Sequence, residues 1–354
     1  MSAPDRSPAN ATSSGTGVEF VDCDLTPAAS IQGQPRPREV VVNGRRVKTV
    51  DVHAHCAVPE ALALMGRKAD RPGLLFSQTE DRIRAMDEQG IDLEALSINP
   101  YWYGADRDLA AEIIRIQNER LAEFCAEQPE RFVAFATVAL QHPELAAQQL
   151  QDAVKKLGLR GASVGGSVED EELANPRFNP FWAKAEELDV LVFIHPMGTK
   201  ELASRVTGSG GLDNTIGNPL ETTIALSHLI FEGTLDRFPG LKLCAAHGGG
   251  YLPSYAARSD AILEAFPDRR TVLLKKKPTE YLRQLYFDSL VFTPEGLRHL
   301  VAETGSSQIM MGTDYPYPWT KTAVDHILTT PDLTDAERSA ILGGTAAKLL
   351  GITP

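Results

Sequence analysis

Two histidines one residue apart, His53 and His55, carry the clearest chemical potential in the chain, in the run Thr49-Val50-Asp51-Val52-His53-Ala54-His55. A β-branched apolar run of this kind reads as a strand, and residues two apart on a strand point to the same face. Two imidazoles on one face can share a transition metal, zinc above all. Alone, the pair fits two ordinary polar residues at a strand end equally well. Three other apolar runs end in the same manner: Phe193-Ile194-His195-Pro196, Ala246-His247-Gly248-Gly249-Gly250 and Gly312-Thr313-Asp314-Tyr315-Pro316. Putting His53, His55, His195 and Asp314 on one divalent ion, Zn2+ first and Mn2+ second, leaves a coordination position for water or substrate. His247 is then free to carry a proton. Asp288 closes the run Tyr286-Phe287-Asp288, where orienting a ligand, touching substrate and a structural role all stand open.

These residues need a scaffold that brings strand ends together. Short apolar runs at 47–52, 93–98, 132–139, 160–164, 190–195, 241–247, 286–289 and 308–314 alternate with helical stretches such as 79–88, 108–127 and 145–157. In the second of these helices, Leu109, Ile113, Ile116, Leu121 and Phe124 form an apolar stripe near helical spacing. Eight strand–helix units are the count of a (β/α)8 TIM barrel, whose chemistry sits at the C-terminal ends of its strands. Asn43-Gly44 between Val40-Val41-Val42 and Arg45-Arg46-Val47 signals a small β-hairpin ahead of the barrel. The expected division is therefore a flexible arm and hairpin over 1–46 and a catalytic barrel over 47–354. Residues 1–17, rich in Ser, Ala, Pro and Thr, read as disordered.

The formal net charge of −12 disfavours sequence-independent binding to nucleic acid or an anionic membrane. Four scattered cysteines without a CxxC pair read as free thiols. No apolar run approaches the ~18 residues of a membrane span, and the N-terminus lacks a secretory core. The expectation is a cytoplasmic protein.

Gly161-Ala162-Ser163-Val164-Gly165 matches the GxSxG nucleophile elbow, and His247-Gly248-Gly249-Gly250 matches a lipase oxyanion motif. In those enzymes, however, the oxyanion motif precedes the elbow and a helix follows the serine directly. Ser163 is better placed at the end of the fourth strand, as structure or pocket lining. His228 reads as a packed or surface residue of a helix, and His142, His299 and His326 as solvated.

Taken together, the DxHxH start, the strand-five histidine, the HGGG stretch and Gly312–Pro318 resemble the amidohydrolase superfamily. The likeness is to its decarboxylase branch, typified by 2-amino-3-carboxymuconate-6-semialdehyde decarboxylase, and runs from about residue 48 onward. Pro219-Leu220-Glu221-Thr222, Asp236-Arg237-Phe238-Pro239 and Tyr286-Phe287-Asp288-Ser289 also match. The resemblance implies metal ligands at His53, His55, His195 and Asp314, with His247 as the acid–base residue. It also implies that Arg258 reaches a neighbouring subunit's site to hold a substrate carboxylate, so that the active unit is a homodimer or larger. Arg71 is the nearest counterpart of a second substrate-binding arginine, displaced by about one residue. The implied reaction is non-oxidative decarboxylation of a small carboxylated aromatic or muconate-like acid. The alternative is a mononuclear hydrolase of a lactone, ester or amide, or a hydratase. A binuclear site is disfavoured because strand four offers no lysine to bridge two metals. Met197-Gly198, where the family has an aromatic residue, and the glycine-rich stretch 206–218 depart from the pattern beside the expected substrate.

Overall fold

The computed structural model describes residues 37–353 except Arg270 and Thr320; the expected disordered arm and Cys23 lie outside the described residues. The hairpin forms as the Asn-Gly signal requires. Val41–Val42 pairs antiparallel with Arg45–Arg46, and both turn residues, Asn43 (φ 49°) and Gly44 (φ 73°), take the left-handed conformation of a tight hairpin turn.

Eight strands follow: β1 (Val50–His55), β2 (Leu93–Ser97), β3 (Phe132–Ala134), β4 (Gly161–Gly165), β5 (Leu191–His195), β6 (Lys242–Ala245), β7 (Tyr286–Asp288) and β8 (Ile309–Met310). All neighbouring pairs run parallel within β1–β2–β3 and within β4–β5–β6–β7–β8. Backbone bonds join the two groups at both seams. Ser163 N donates to Ala136 O at 2.9 Å, Val52 N to Met311 O at 2.9 Å, and Asp314 N to His53 O at 2.7 Å. The sheet therefore closes into a (β/α)8 barrel.

The principal covering helices are α1 (Thr79–Gln89), α2 (Arg107–Glu127), α3 (Pro143–Lys156), α4 (Asn179–Glu187), α5 (Asn218–Phe231), α6 (Leu252–Ala265) and α7 (Pro294–Thr304), followed by the short α8 (Ala323–Thr329) and α9 (Thr345–Leu350). Their ends follow from local chemistry. Asp106 caps α2 by accepting from Leu109 N at 3.0 Å, and Gly90, at φ 78°, ends α1. Ala110, Ile113, Ile114, Leu121 and Phe124 form the buried face of α2.

Alternation along the strands separates two apolar layers. Leu191, Phe193, Cys244, Ala246 and Met310 fill the barrel interior with Val50 and Val52, and Ala346 and Leu350 of α9 join the same cluster. Val192, Ile194, Leu243, Ala245 and Ile309 face the helices instead. On β5 the alternation carries straight through to His195. On β1 it does not: Val50 and Val52 belong to the interior, yet Ala54 belongs to the helix-facing layer. A register shift between Asp51 and Ala54 changes the phase of the strand. That bulge turns His53 and His55 inward, where strict alternation from Val50 would have faced them outward. β1 thus runs through the His-Ala-His motif, as the run 49–55 reads in sequence, and past the apolar run at 47–52.

Candidate active site

The bulged end of β1 supplies His53 and His55, β5 supplies His195, and the segment after β8 supplies Asp314. One ligand atom from each lies within 4.8 Å of all the others, and all four residues are buried. The Nε2 atoms of His53 and His55 converge at 3.1 Å, with Asp314 Oδ1 at 3.2 and 2.8 Å from them. Donors bound at ~2.0–2.2 Å to a single ion stand roughly 3–4 Å apart, so this donor set fits a divalent metal. Three imidazoles and one carboxylate are all ligands that a transition metal accepts.

A set of buried carboxylates fixes these donors. Asp51 accepts from His53 N at 2.9 Å and from Thr313 N at 3.1 Å, tying β1 to the segment that carries Asp314. Gly312 lies against the same place, where a Cβ would stand 2.9 Å from His53 Cβ and 3.1 Å from Asp288 Cβ. Asp288 is fully buried, and both of its oxygens are taken. Oδ2 sits 2.7 Å from His53 Nδ1 and accepts from His247 N at 2.9 Å. Oδ1 accepts from Gly248 N at 2.8 Å and from Leu290 N at 3.1 Å. Of the roles left open by the sequence, these contacts favour orienting the metal-site groups, since each oxygen of Asp288 already has protein partners.

The remaining donors are held from outside the barrel. Glu221 on α5 accepts from Met197 N and from Gly198 N, both at 2.5 Å, and from Ser167 Oγ at 3.1 Å, which pins the loop leaving His195. Trp319 Nε1 donates to Asp314 Oδ2 at 3.1 Å. His247 (φ 55°) and Asp314 (φ 61°) both adopt the left-handed backbone, a conformation that costs a non-glycine residue on the order of 1–3 kcal/mol. Asp288, bonded to two consecutive amides at His247 and Gly248, compensates at the first of these turns.

Electrostatics sort the four donors. Burial lowers the His53 pKa, but the Asp314 charge and hydrogen bonds to Asp288 and Asp314 outweigh it and raise the value to about 10. Burial lowers His55, and lowers His195 well below the ordinary imidazole value with help from the neighbouring histidines. Burial would raise Asp314, but the His53 charge and hydrogen bonds from the surrounding histidines hold it far below the usual carboxylate range. In the metal-free protein, His53 is therefore the donor expected to carry a proton, held by its two carboxylate neighbours. A metal ion must displace that proton, so affinity should rise with pH by up to about tenfold per unit below the His53 pKa. Calorimetric metal titration near pH ~8, in buffers of different protonation enthalpy, should count about one proton released per ion. Release of none would show His53 to be neutral in the metal-free protein.

His247 stands apart from the donors, with Nε2 at 3.9 Å from Asp314 Oδ2. It lines a cavity of about 560 Å³ together with Asp314, Tyr251, Leu290, Phe292 and Trp319. His299, read from sequence as solvated, is exposed and also lines this cavity. A second, small cavity borders the cluster at His55. Arg71 lies near it, with Cζ 5.1 Å from the centre of the Tyr317 ring, which in turn packs edge-on against His55 at 5.9 Å. Arg67, which the sequence does not single out, lines this cavity directly. Arg258 is exposed on α6 and lines neither cavity. His228 is half-exposed beside Glu232, in keeping with a surface role, and Ser163 is buried within β4.

The family model described as Amidohydrolase matches residues 50–352. The chain is 32% identical over 287 residues to a gamma-resorcylate decarboxylase of Polaromonas sp., covering 78% of this chain and 88% of the relative. It is 29% identical over 310 residues to 2-amino-3-carboxymuconate-6-semialdehyde decarboxylase of Dictyostelium discoideum, covering 86% and 85%. Among solved structures, a dihydroxybenzoic acid decarboxylase of Polaromonas sp., with bound manganese and the inhibitor 2-nitroresorcinol, superposes with a TM-score of 0.78 at 30% identity. That match covers 86% of this chain and 97% of the other. Among the described residues no helix is long and apolar enough to cross a membrane.

Proposed function

The chain belongs to the amidohydrolase family, on its decarboxylase branch, and from that premise we propose that it is a metal-dependent carboxy-lyase releasing CO2 from a small carboxylated aromatic or muconate-like acid. The observation that carries this reading is a fifth histidine, His247, beside the four-donor cluster without belonging to it. A divalent ion held by His53, His55, His195 and Asp314 would supply Lewis acidity toward a substrate oxygen. The three-imidazole set suits Zn2+, and the manganese in a relative keeps Mn2+ as the second candidate.

His247 holds the proton at Nε2 and passes it to the carbon that bears the carboxylate. A C–H bond forms there, the C–C bond to the carboxylate breaks, its electron pair returns to the substrate, and CO2 leaves. Leu290, Phe292 and Trp319 offer an apolar wall for a flat ring. Arg258 would meet the substrate carboxylate of a neighbouring subunit, and Arg71 would add positive charge at the rim. Tyr255, 66% exposed on the same helix as Arg258, and Phe266, 49% exposed just beyond it, are surfaces a second copy would cover.

The test is metal analysis of the purified protein, followed by a screen of carboxylated phenols and muconates scored by CO2 release. Metal-dependent ester or lactone cleavage without CO2 would replace the reading with a hydrolase. If Arg258 acts across subunits, mixing inactive Arg258→Ala and His247→Ala chains should restore about a quarter of wild-type activity, because a mixed dimer carries one intact site. No recovery on mixing would show that Arg258 does not serve a neighbouring subunit's site.

A further inference from the structure

Two amides stand side by side on the inner face of α2, and the fold uses only one of them. Asn118 is satisfied: Nδ2 donates to Thr137 O at 3.0 Å, and Oδ1 accepts from Thr137 N at 2.8 Å and Thr137 Oγ1 at 3.0 Å. Gln117 is fully buried, yet neither its Oε1 nor its Nε2 has a hydrogen-bond partner among the described residues. A buried amide left unpaired is destabilising, so its presence on an apolar helix face needs a reason. Gln117 lines the small cavity beside His55, with Asn99, Tyr101, Arg67 and Tyr317 among the other walls. Asn99 Oδ1 is buried and unpartnered in the same way. The Arg67 guanidinium lies over the Tyr101 ring, 4.2 Å from its centre.

We propose that this cavity is a subsite for a phenolic hydroxyl of the substrate, with Gln117 as its specificity-determining residue; the proposal rests on the decarboxylase reading above. The chemistry of the walls selects the group. Two unpartnered carbonyl oxygens, on Gln117 and Asn99, call for a donor, and the Gln117 NH2 calls for an acceptor. A hydroxyl provides one donor and an acceptor at one atom, enough for one carbonyl oxygen and the NH2, whereas a carboxylate provides no donor for either carbonyl oxygen. Size agrees: the space is about 20 Å³, enough for a group the size of one water. His55 is both a wall of the cavity and a member of the metal cluster, so a hydroxyl seated here would lie beside that cluster.

The experiment uses the metal-loaded full chain and two probes, 2,6-dihydroxybenzoate and benzoate, with affinity measured by calorimetry. Gln117→Met keeps the shape and removes both polar atoms. It should lose about 10- to 100-fold in affinity for the dihydroxy acid and no more than about 2-fold for benzoate, with thermal stability unchanged or raised. Asn99→Ala, which changes another lining residue of the cavity, should discriminate in the same direction and carries the test if the first variant fails to fold. Equal losses for both acids, or no loss for either, would overturn the subsite. Failure of the underlying reading looks different: the wild-type protein would release no CO2 from any acid in the screen, whatever it binds.

Discussion

Replacing His247 by glutamine should leave the metal bound and remove the turnover. Glutamine keeps a polar side chain of similar reach but cannot exchange a proton near neutral pH. Positioned acid–base groups contribute about 10²–10⁴-fold, and kcat should fall within that range. Metal content should not change, because the ligand atoms come from His53, His55, His195 and Asp314. Backbone strain at φ 55° is felt by any residue with a Cβ, so the substitution adds little there. A second readout is incorporation of solvent deuterium at the carbon that loses the carboxylate. Wild-type protein should catalyse that exchange in the product, and the variant should not. Normal turnover in His247→Gln would end its assignment as the proton carrier.

The second large effect concerns the ion. Exhaustive chelation should take CO2 release to background, and re-addition of Zn2+ or Mn2+ should restore it, with the better ion identifying the resident metal. The folded chain should also melt at higher temperature with metal than without, since ligand binding to the native state stabilises it. Asp288→Ala gives the sharper version. It leaves all four ligands in place but removes the acceptor at His53 Nδ1, and metal affinity should fall about 10- to 100-fold, as for other outer partners of ligating histidines. Activity at saturating metal should remain depressed, because the His247–Gly248 turn has lost the same carboxylate. Full activity at saturating metal would show that Asp288 serves the ion alone.

What could be read in advance depended on how local the signal was. His195 was legible because β5 keeps a two-residue alternation from Leu191 to its end, so one residue predicts the next. His53 and His55 were legible as a pair, but the bulge that turns them inward leaves no mark in an apolar pattern. Asp288 remained ambiguous because its partners come from β1 and from the turn after β6, remote in sequence. Arg71 was named and Arg67 was not, because a loop has no periodicity from which to deduce which side chain turns inward. Gln117 interrupts an apolar stripe, and sequence alone does not distinguish an interruption from a ligand group. The barrel itself followed from the count and order of its strands, and its closure depends on seams no single segment encodes.

One carboxylate, Asp288, holds both a metal ligand and the backbone of the proton carrier. Positional errors accumulate along a chain, and His53 and His247 are separated by most of the barrel. A common reference point removes that accumulation. A displacement of Asp288 should therefore carry His53 and the His247 turn together. The arrangement also constrains change: a substitution that retunes one of the two will drag the other, and new substrates are more readily accommodated through the cavity walls than through this anchor.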